Sequence, residues 1–231
     1  MVCLDIDDTL IDFTAAGRSS LELLIGRTDM WPLWEHITDD HVARVVAGEL
    51  AYADMHATRT RAFLAELGVA VDTAQAREFE LRRKAFLRHS WRLFDDVLPC
   101  LEWLKAAGVK LAAVTNASGA HQRDKLAGLG LGTFFDHIAI AGEMGVAKPD
   151  PVMFHKVCSA IGCEPTHAVH VGDKLITDAI GARDAGLGGV WLDRHRLDVE
   201  IPDGVHVLNT LADLPELLVS EFARLGVPTP R

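Results

Sequence analysis

No stretch of this 231-residue chain approaches the roughly 20 consecutive apolar residues that a membrane-spanning helix needs. The first residues, Met1-Val2-Cys3-Leu4-Asp5, lack the basic region and long apolar core of a secretory signal. The four cysteines, Cys3, Cys100, Cys158 and Cys163, show no CxxC spacing, so reduced, buried thiols and a cytoplasmic location are the expectation. Runs of Lys and Arg are missing as well. With 23 basic and 33 acidic residues the formal net charge is −10, which disfavours a nucleic-acid polymer or an anionic membrane as partner. A small anionic substrate stays compatible with that charge, because a bound metal and one or two lysines reverse the local field. Internal repeats and low-complexity segments are absent, and only Pro228-Thr229-Pro230-Arg231 reads as a disordered tail. Composition does not distinguish a monomer from an oligomer.

What remains is an ordinary globular composition, 49% apolar and 24% charged. Val2–Leu4 is apolar and runs into a cluster of acids, which predicts a buried strand ending at Asp5. From Thr14 to Trp91 the pattern is helical: Leu21, Leu24 and Ile25, then Val42, Val45 and Val46, then Phe63, Leu64 and Leu67 recur at three- and four-residue spacings. Gly68-Val69 and Asp72-Thr73 punctuate it as turn and N-cap signals. After Leu98-Pro99 the character changes. Strands are expected at Val109–Val114, His137–Ile140, Ala168–Val171, Gly189–Leu192 and Val205–Val207. Helices are expected at His121–Leu129, Pro151–Ile161 (with Asp150 as N-cap and Pro151 in first position), Ile176–Ala185 and Leu211–Leu225. Strands alternating with helices predict a Rossmann-like, doubly wound parallel sheet. The helical stretch is too long for a loop and predicts an inserted all-helical cap domain, residues 14–96, in a core of residues 1–13 and 97–231.

Four polar clusters fall at the carboxyl ends of expected strands, where open parallel sheets bind ligands. The first is Asp5-Ile6-Asp7-Asp8-Thr9. Asp5 and Asp7 are two apart, a spacing that presents both to one crevice; one carboxylate can attack phosphorus and a second can move the proton. The second is Thr115-Asn116, whose hydroxyl and nearby N–H groups suit phosphoryl oxygens. The third is Lys148 in Ala147-Lys148-Pro149-Asp150-Pro151, an ammonium for the phosphoryl group and the nucleophile. The fourth is Gly172-Asp173 with Asp178, an oxygen-rich pair suited to Mg²⁺. Singly, each is ordinary turn chemistry. In this order, each at the end of a strand, they are not.

The order DIDDTL, VTN, AKPDP, GDKLITD resembles the haloacid dehalogenase superfamily, with the helical insertion after the first motif resembling its alpha-helical cap. The resemblance implies Asp5 as nucleophile, Asp7 as general acid/base, Thr115 and neighbouring Asn116 as phosphoryl binders, and Lys148 as the neutralising cation. It implies Mg²⁺ held by Asp5, Asp173 and the backbone carbonyl of Asp7, with Asp178 a further acid at the metal and Thr9 shaping the turn that aims Asp5. Members that displace halide from carbon lack an acid at the position of Asp7, so a small phosphorylated metabolite is the implied substrate and phosphomonoester hydrolysis the implied reaction. Lys174 stands where many relatives carry a small polar residue and reads as a solvated side chain.

Other readings share parts of this pattern. A phosphomutase or phosphotransferase uses the same residues and returns the phosphoryl group to a sugar. A phospho-aspartate switch also combines clustered aspartates, Thr and Lys on an α/β sheet, but is shorter and uncapped. A binding module without activity has no need of every motif residue. Within the insertion, Arg18 follows the catalytic loop closely and suits a second anionic group. Trp31 and Trp34 read as packing residues. His36, His41, His56 and His89 lack metal-ligand spacing.

Overall fold

The computed structural model describes residues 1–117 and 119–222, and the expected tail lies outside them. The chain forms two compact units, Met1–Asp12 with Arg92–Arg231, and Phe13–Trp91. In the first unit, β1 (Val2–Leu4) is followed, after the second unit, by α5 (Val97–Ala106), β2 (Leu111–Thr115), α6 (Gly119–Gly128), β3 (His137–Ile140), α7 (Ala141–Met144) and α8 (Pro151–Ile161). Then come β4 (Val169–Gly172), a π-helical segment (Leu175–Ile180), α9 (Gly181–Asp184), β5 (Gly188–Leu192), β6 (Val205–Leu208) and α10 (Leu214–Ser220). The second unit is α1 (Phe13–Ile25), α2 (Trp31–Val46), α3 (Tyr52–Glu66) and α4 (Thr73–Ser90), with no strand among its described residues.

All strand pairs are parallel, in the order β3-β2-β1-β4-β5-β6, so the sheet is doubly wound about β1 as its alternating sequence predicts. Leu4 pairs with Ala113 on one side and Val171 on the other. This register brings the residues after β1, β2 and β4 to one edge, at the point where the strand order reverses. Strands β1, β2 and β4 are buried at every position, as strands covered on both faces must be. Cys3, Ala112, Val114 and Ala139 of the sheet pack with Met153 and Val157 of α8. That helix starts as expected: the Asp150 carboxylate accepts from Val152 N at 2.9 Å and Pro151 occupies the first turn.

Several boundaries differ from the sequence reading. Residues 92–96 belong with the sheet rather than the insertion. Ile11 bridges Leu93, and Asp96 accepts from Arg194, Thr210 and Leu211. Phe13, in turn, opens α1 in the helical unit. The helix α5 was not expected, although Pro99 in its first turn and buried Leu101 and Leu104 mark it. The stretch expected as one helix over Ile176–Ala185 splits into a π-helical segment and α9. The C-terminal helix is a short 3₁₀ turn, Leu211–Asp213, and then α10. Of the cysteines, all free, Cys3, Cys100 and Cys158 are buried but Cys163 is partly exposed.

The helical unit has its own core of Leu21, Trp31, Trp34, Ile37, Phe63 and Leu64. Trp34 meets Phe63 edge-on at 5.0 Å between ring centres, so the tryptophans pack here as expected. Asp72 and Gln75 form a reciprocal capping box at the start of α4. Across α3 and α4, the buried Glu80 carboxylate takes hydrogen bonds from Arg59, Thr60 and Arg83. No helix among the described residues is long and apolar enough to cross a membrane.

Candidate active site

Asp5 leaves β1 with its N–H donating to Val171 O at 2.9 Å, which seats it between β2 and β4. The following turn folds on itself, Leu10 N donating to Ile6 O and Asp8 N to Ile11 O, and Asp8 takes a left-handed conformation at φ 58°. Aspartate tolerates that conformation better than a branched or bulky residue would. Thr9 is fully buried in this turn. Its Oγ1 accepts from Asp173 N at 3.0 Å and lies 3.5 Å from Asp173 Oδ1. Thr9 therefore ties the first loop to the fourth.

Lys148 is the hub. Its buried Nζ sits 2.5 Å from Asp5 Oδ1, 2.6 Å from Asp178 Oδ1 and 2.8 Å from Val114 O. Asn116 holds the backbone of Lys148, donating from Nδ2 to Lys148 O at 2.7 Å and accepting Lys148 N at Oδ1 at 2.8 Å. The side chain of Asn116 is thus engaged by the lysine loop, a different place from the phosphoryl group the motif implies. Asp178 is nearly fully buried. Its Oδ1 also meets His170 Nε2 at 3.0 Å, and its Oδ2 accepts Lys174 N at 3.0 Å.

One ammonium faces two carboxylates, and the titration of the group follows from that shortage. Burial raises Asp178, but the charges of Lys148 and His170 outweigh it and hold the carboxyl well below its usual range. Burial lowers Lys148, and the carboxylates of Asp178 and Asp5 more than reverse this. Asp5 goes the other way: burial pushes it well above its usual value, with Asp178 and Asp173 adding to the rise against the pull of Lys148. Asp173 is pushed up to about 7, by burial first and then by Asp178. Asp5, Asp173 and Asp178 each bring a carboxylate oxygen within 4.8 Å of the others. Three such oxygens and one ammonium leave a charge deficit that a divalent cation fits, and the all-oxygen donor set is that of a hard ion.

Asp7 points elsewhere. Its Oδ1 accepts from Lys125 Nζ and its Oδ2 from Gln122 Nε2 at 2.7 Å, both on α6. The same Gln122 Nε2 lies 3.3 Å from Thr115 Oγ1, which also accepts from Ala117 N at 3.3 Å. With two donors directed at its oxygen, Thr115 keeps its own O–H for an outside acceptor. The sheet unit thus gathers Asp5, Asp7, Thr9, Thr115, Asn116, Lys148, Asp173 and Asp178 at one edge. Arg18 lies in the helical unit, exposed on α1, its guanidinium 6.0 Å from the Trp31 ring. Lys174 is 69% exposed, 3.6 Å from Asp173 Oδ2, as a solvated lysine is expected to be.

Three contributors went unnoticed in the sequence. His170 had a signal, a titratable residue inside an otherwise apolar strand. Gln122 and Lys125 had a weaker one, polar residues three apart on the helix after Thr115. The expected helix over His121–Leu129 did not say which of its side chains face the site.

Carboxylates around a buried ammonium, at the switch point of a parallel sheet, equip a hydrolase for an anionic substrate. The comparisons with known proteins give that class its family. The model for haloacid dehalogenase-like hydrolases matches residues 1–186, and the chain belongs to that family. It is 30% identical to the phosphoserine phosphatase of Thermus thermophilus over 96% of this chain and 98% of that protein. To human N-acylneuraminate-9-phosphatase it is 27% identical, over 99% and 97% of the two chains. Among solved structures it is similar to the HAD-hydrolase YfnB of Bacillus subtilis bound to magnesium. The TM-score there is 0.82 at 27% identity, covering 94% of this chain and 97% of that one.

Proposed function

We propose that this hydrolase is a Mg²⁺-dependent phosphomonoesterase that works through a phosphorylated Asp5. The observation that carries the reading is Lys148 Nζ, 2.5 Å from Asp5 Oδ1, with Asp7 two residues further along the same turn. A buried ammonium on a carboxylate offsets charge as that carboxylate approaches an anionic phosphoryl group.

In the first step an Asp5 oxygen attacks phosphorus while the ester P–O bond breaks. Asp7 delivers the proton that the leaving oxygen needs. In the second, water attacks phosphorus of the acyl phosphate, Asp7 takes the water proton, and the Asp5 carboxylate leaves. Thr115 Oγ1–H donates to a phosphoryl oxygen in both steps. Asp5 and Asp173 would hold the metal together with the carbonyl of Asp7, and Asp178 would secure Lys148 beside them. When bound, Mg²⁺ supplies charge neutralisation to the phosphoryl oxygens and the nucleophile. The magnesium in the similar YfnB supports that choice of ion.

The relatives' names point to the substrate class. Phosphoserine and N-acylneuraminate 9-phosphate are small alkyl phosphomonoesters, as is the glyceraldehyde 3-phosphate of further relatives, and a metabolite of that kind is the proposed substrate here. The helical unit, read as a cap domain, is our candidate for selecting among such metabolites, and its exposed Arg18 suits an anionic group.

The test is phosphate release from a panel of phosphorylated metabolites, with and without Mg²⁺, beside Asp5→Asn. Metal-dependent release that Asp5→Asn abolishes is expected. Isomerised sugar phosphate in place of released phosphate would make the enzyme a mutase. Full activity of Asp5→Asn would remove the nucleophile.

A further inference from the structure

Asp7 is held by a pair of residues that the motifs do not contain. Lys125 is fully buried on α6, and its Nζ donates to Asp7 Oδ1. A buried ammonium needs a countercharge, so this contact fixes the carboxylate as firmly as it fixes the lysine. One turn earlier on the helix, Gln122, also fully buried, reaches Asp7 Oδ2 at 2.7 Å and Thr115 Oγ1 at 3.3 Å from the same nitrogen.

The orientation of the Gln122 amide is informative. Reversed, it would set Oε1 against a carboxylate oxygen and a hydroxyl oxygen already taken from the other side. As it stands, both N–H groups point at Asp7 and Thr115, and Gln122 Oε1 is buried with no hydrogen-bond partner among the described residues. A residue that only packs α6 onto the sheet has no reason to bury an unpaired acceptor. The amide is arranged for what it donates to.

We infer that Lys125 and Gln122 are positioning residues for proton transfer: together they fix the direction of the Asp7 carboxylate, and Gln122 sets its distance from the Thr115 hydroxyl. The inference rests on the phosphatase reading above. Lys125 acts on the leaving group only through Asp7. Gln122 acts through Asp7 and, by filling an acceptor site on Thr115, turns the Thr115 O–H toward the phosphoryl group.

General-acid help matters in proportion to the basicity of the leaving oxygen. Phenyl phosphate and 4-nitrophenyl phosphate have nearly the same shape, but 4-nitrophenolate leaves without a proton. Single-turnover rates with Mg²⁺ are compared for the wild type, Lys125→Met, Asp7→Asn and the double variant. Lys125→Met is expected to slow phenyl phosphate about tenfold more than 4-nitrophenyl phosphate. Added to Asp7→Asn, it is expected to cost less than about twofold further, because its route is already cut. Equal slowing of both esters, or losses that multiply in the double variant, would overturn the inference. Should Lys125→Met fail to fold by circular dichroism, Lys125→Gln, which keeps a donor in the buried site but not the charge, makes the same comparison and is expected to show the same preference at smaller size. A wild type that releases phosphate from neither ester nor any metabolite of the panel overturns the phosphatase reading and this one with it. Activity that depends on Asp5 but is indifferent to Lys125 and Gln122 overturns this one alone.

Discussion

Asn116 binds Lys148 twice, through both ends of its amide, at 2.7 and 2.8 Å, and through the backbone of Lys148 rather than its ammonium. The loop after β2 is in this way zipped to the loop that carries the lysine. The position of Nζ against Asp5 is set by a residue that touches neither group.

Asn116→Ala removes both hydrogen bonds and leaves a carbonyl and an N–H of Lys148 in search of water. At about 1 kcal/mol for each bond, unfolding in urea should shift by about 2 kcal/mol. Turnover should fall further than stability, on the order of 10²-fold, because a misplacement of 1 Å at the reacting centre costs that much. Asn116→Asp keeps the acceptor for Lys148 N and should lie between. Wild-type turnover in Asn116→Ala would show that Lys148 is placed by other contacts.

Gly172 is a second control on the same lysine. A Cβ built there would lie 2.3 Å from Asp178 Cγ and 2.4 Å from its Oδ2, far inside van der Waals contact. The displaced group would be the carboxylate that holds Lys148 and His170. Gly172→Ala should cost about 1–3 kcal/mol through overpacking and take turnover down with it. A folded, fully active Gly172→Ala would mean that Asp178 can move without disturbing Lys148.

Asp96 concerns the loop that carries the nucleophile. Its carboxylate takes two hydrogen bonds from Arg194 and one each from Thr210 and Leu211 N, and Arg194 also donates to Thr9 O at 2.8 Å. Asp96→Ala strands a mostly buried guanidinium and should cost about 3–5 kcal/mol in urea unfolding. Asp96→Asn, which keeps an acceptor, should cost less. Equal losses in the two variants would place the effect in the start of α5 instead of the pairing with Arg194.

The sheet was legible because its strands are short apolar runs bounded by turn residues, and because Asp5, Thr115 and Asp173 stand at their ends. Sequence spacing says which loop a residue belongs to. It does not say which way a side chain points within that loop. Asn116 and Thr9 were expected at the phosphoryl group and at the turn. The first instead grips Lys148, and the second joins two loops. The π-helical segment was illegible for a related reason. Leu175–Ile180 has the composition of an α-helix, and the contacts of its Asp178 with Gly172, Lys148 and His170 are tertiary, which no local pattern announces. Lys125 was hidden by the usual rule that a lysine on a helix faces water. Only the placement of Asp7 shows why this one does not.

The helical unit gives a prediction that is independent of the chemistry. Burial would raise Glu80, but the charges of Arg83 and Arg59, with their hydrogen bonds and that of Thr60, bring it down to about 2. Burial, aided by the charges of Arg59 and Lys84, brings His56 down to about 4. In both cases the unfolded chain binds a proton that the folded chain refuses. His56 therefore removes stability as pH falls from the ordinary histidine value of 6.5 toward 4, and Glu80 as pH falls from 4.5 toward 2. Each contribution is on the order of 3 kcal/mol, present at neutral pH. Thermal unfolding should move to lower temperature in two stages on acidification, the first smaller in His56→Phe, with buried His170, also held below its ordinary value by burial, accounting for part of what remains. Glu80→Gln should be destabilised already at pH 7, since it leaves Arg59 and Arg83 facing each other without their carboxylate, and its loss should deepen less than the wild type's below pH 4.5. A Glu80→Gln variant as stable as the wild type at pH 7 would mean that the three-residue cluster carries no net stability.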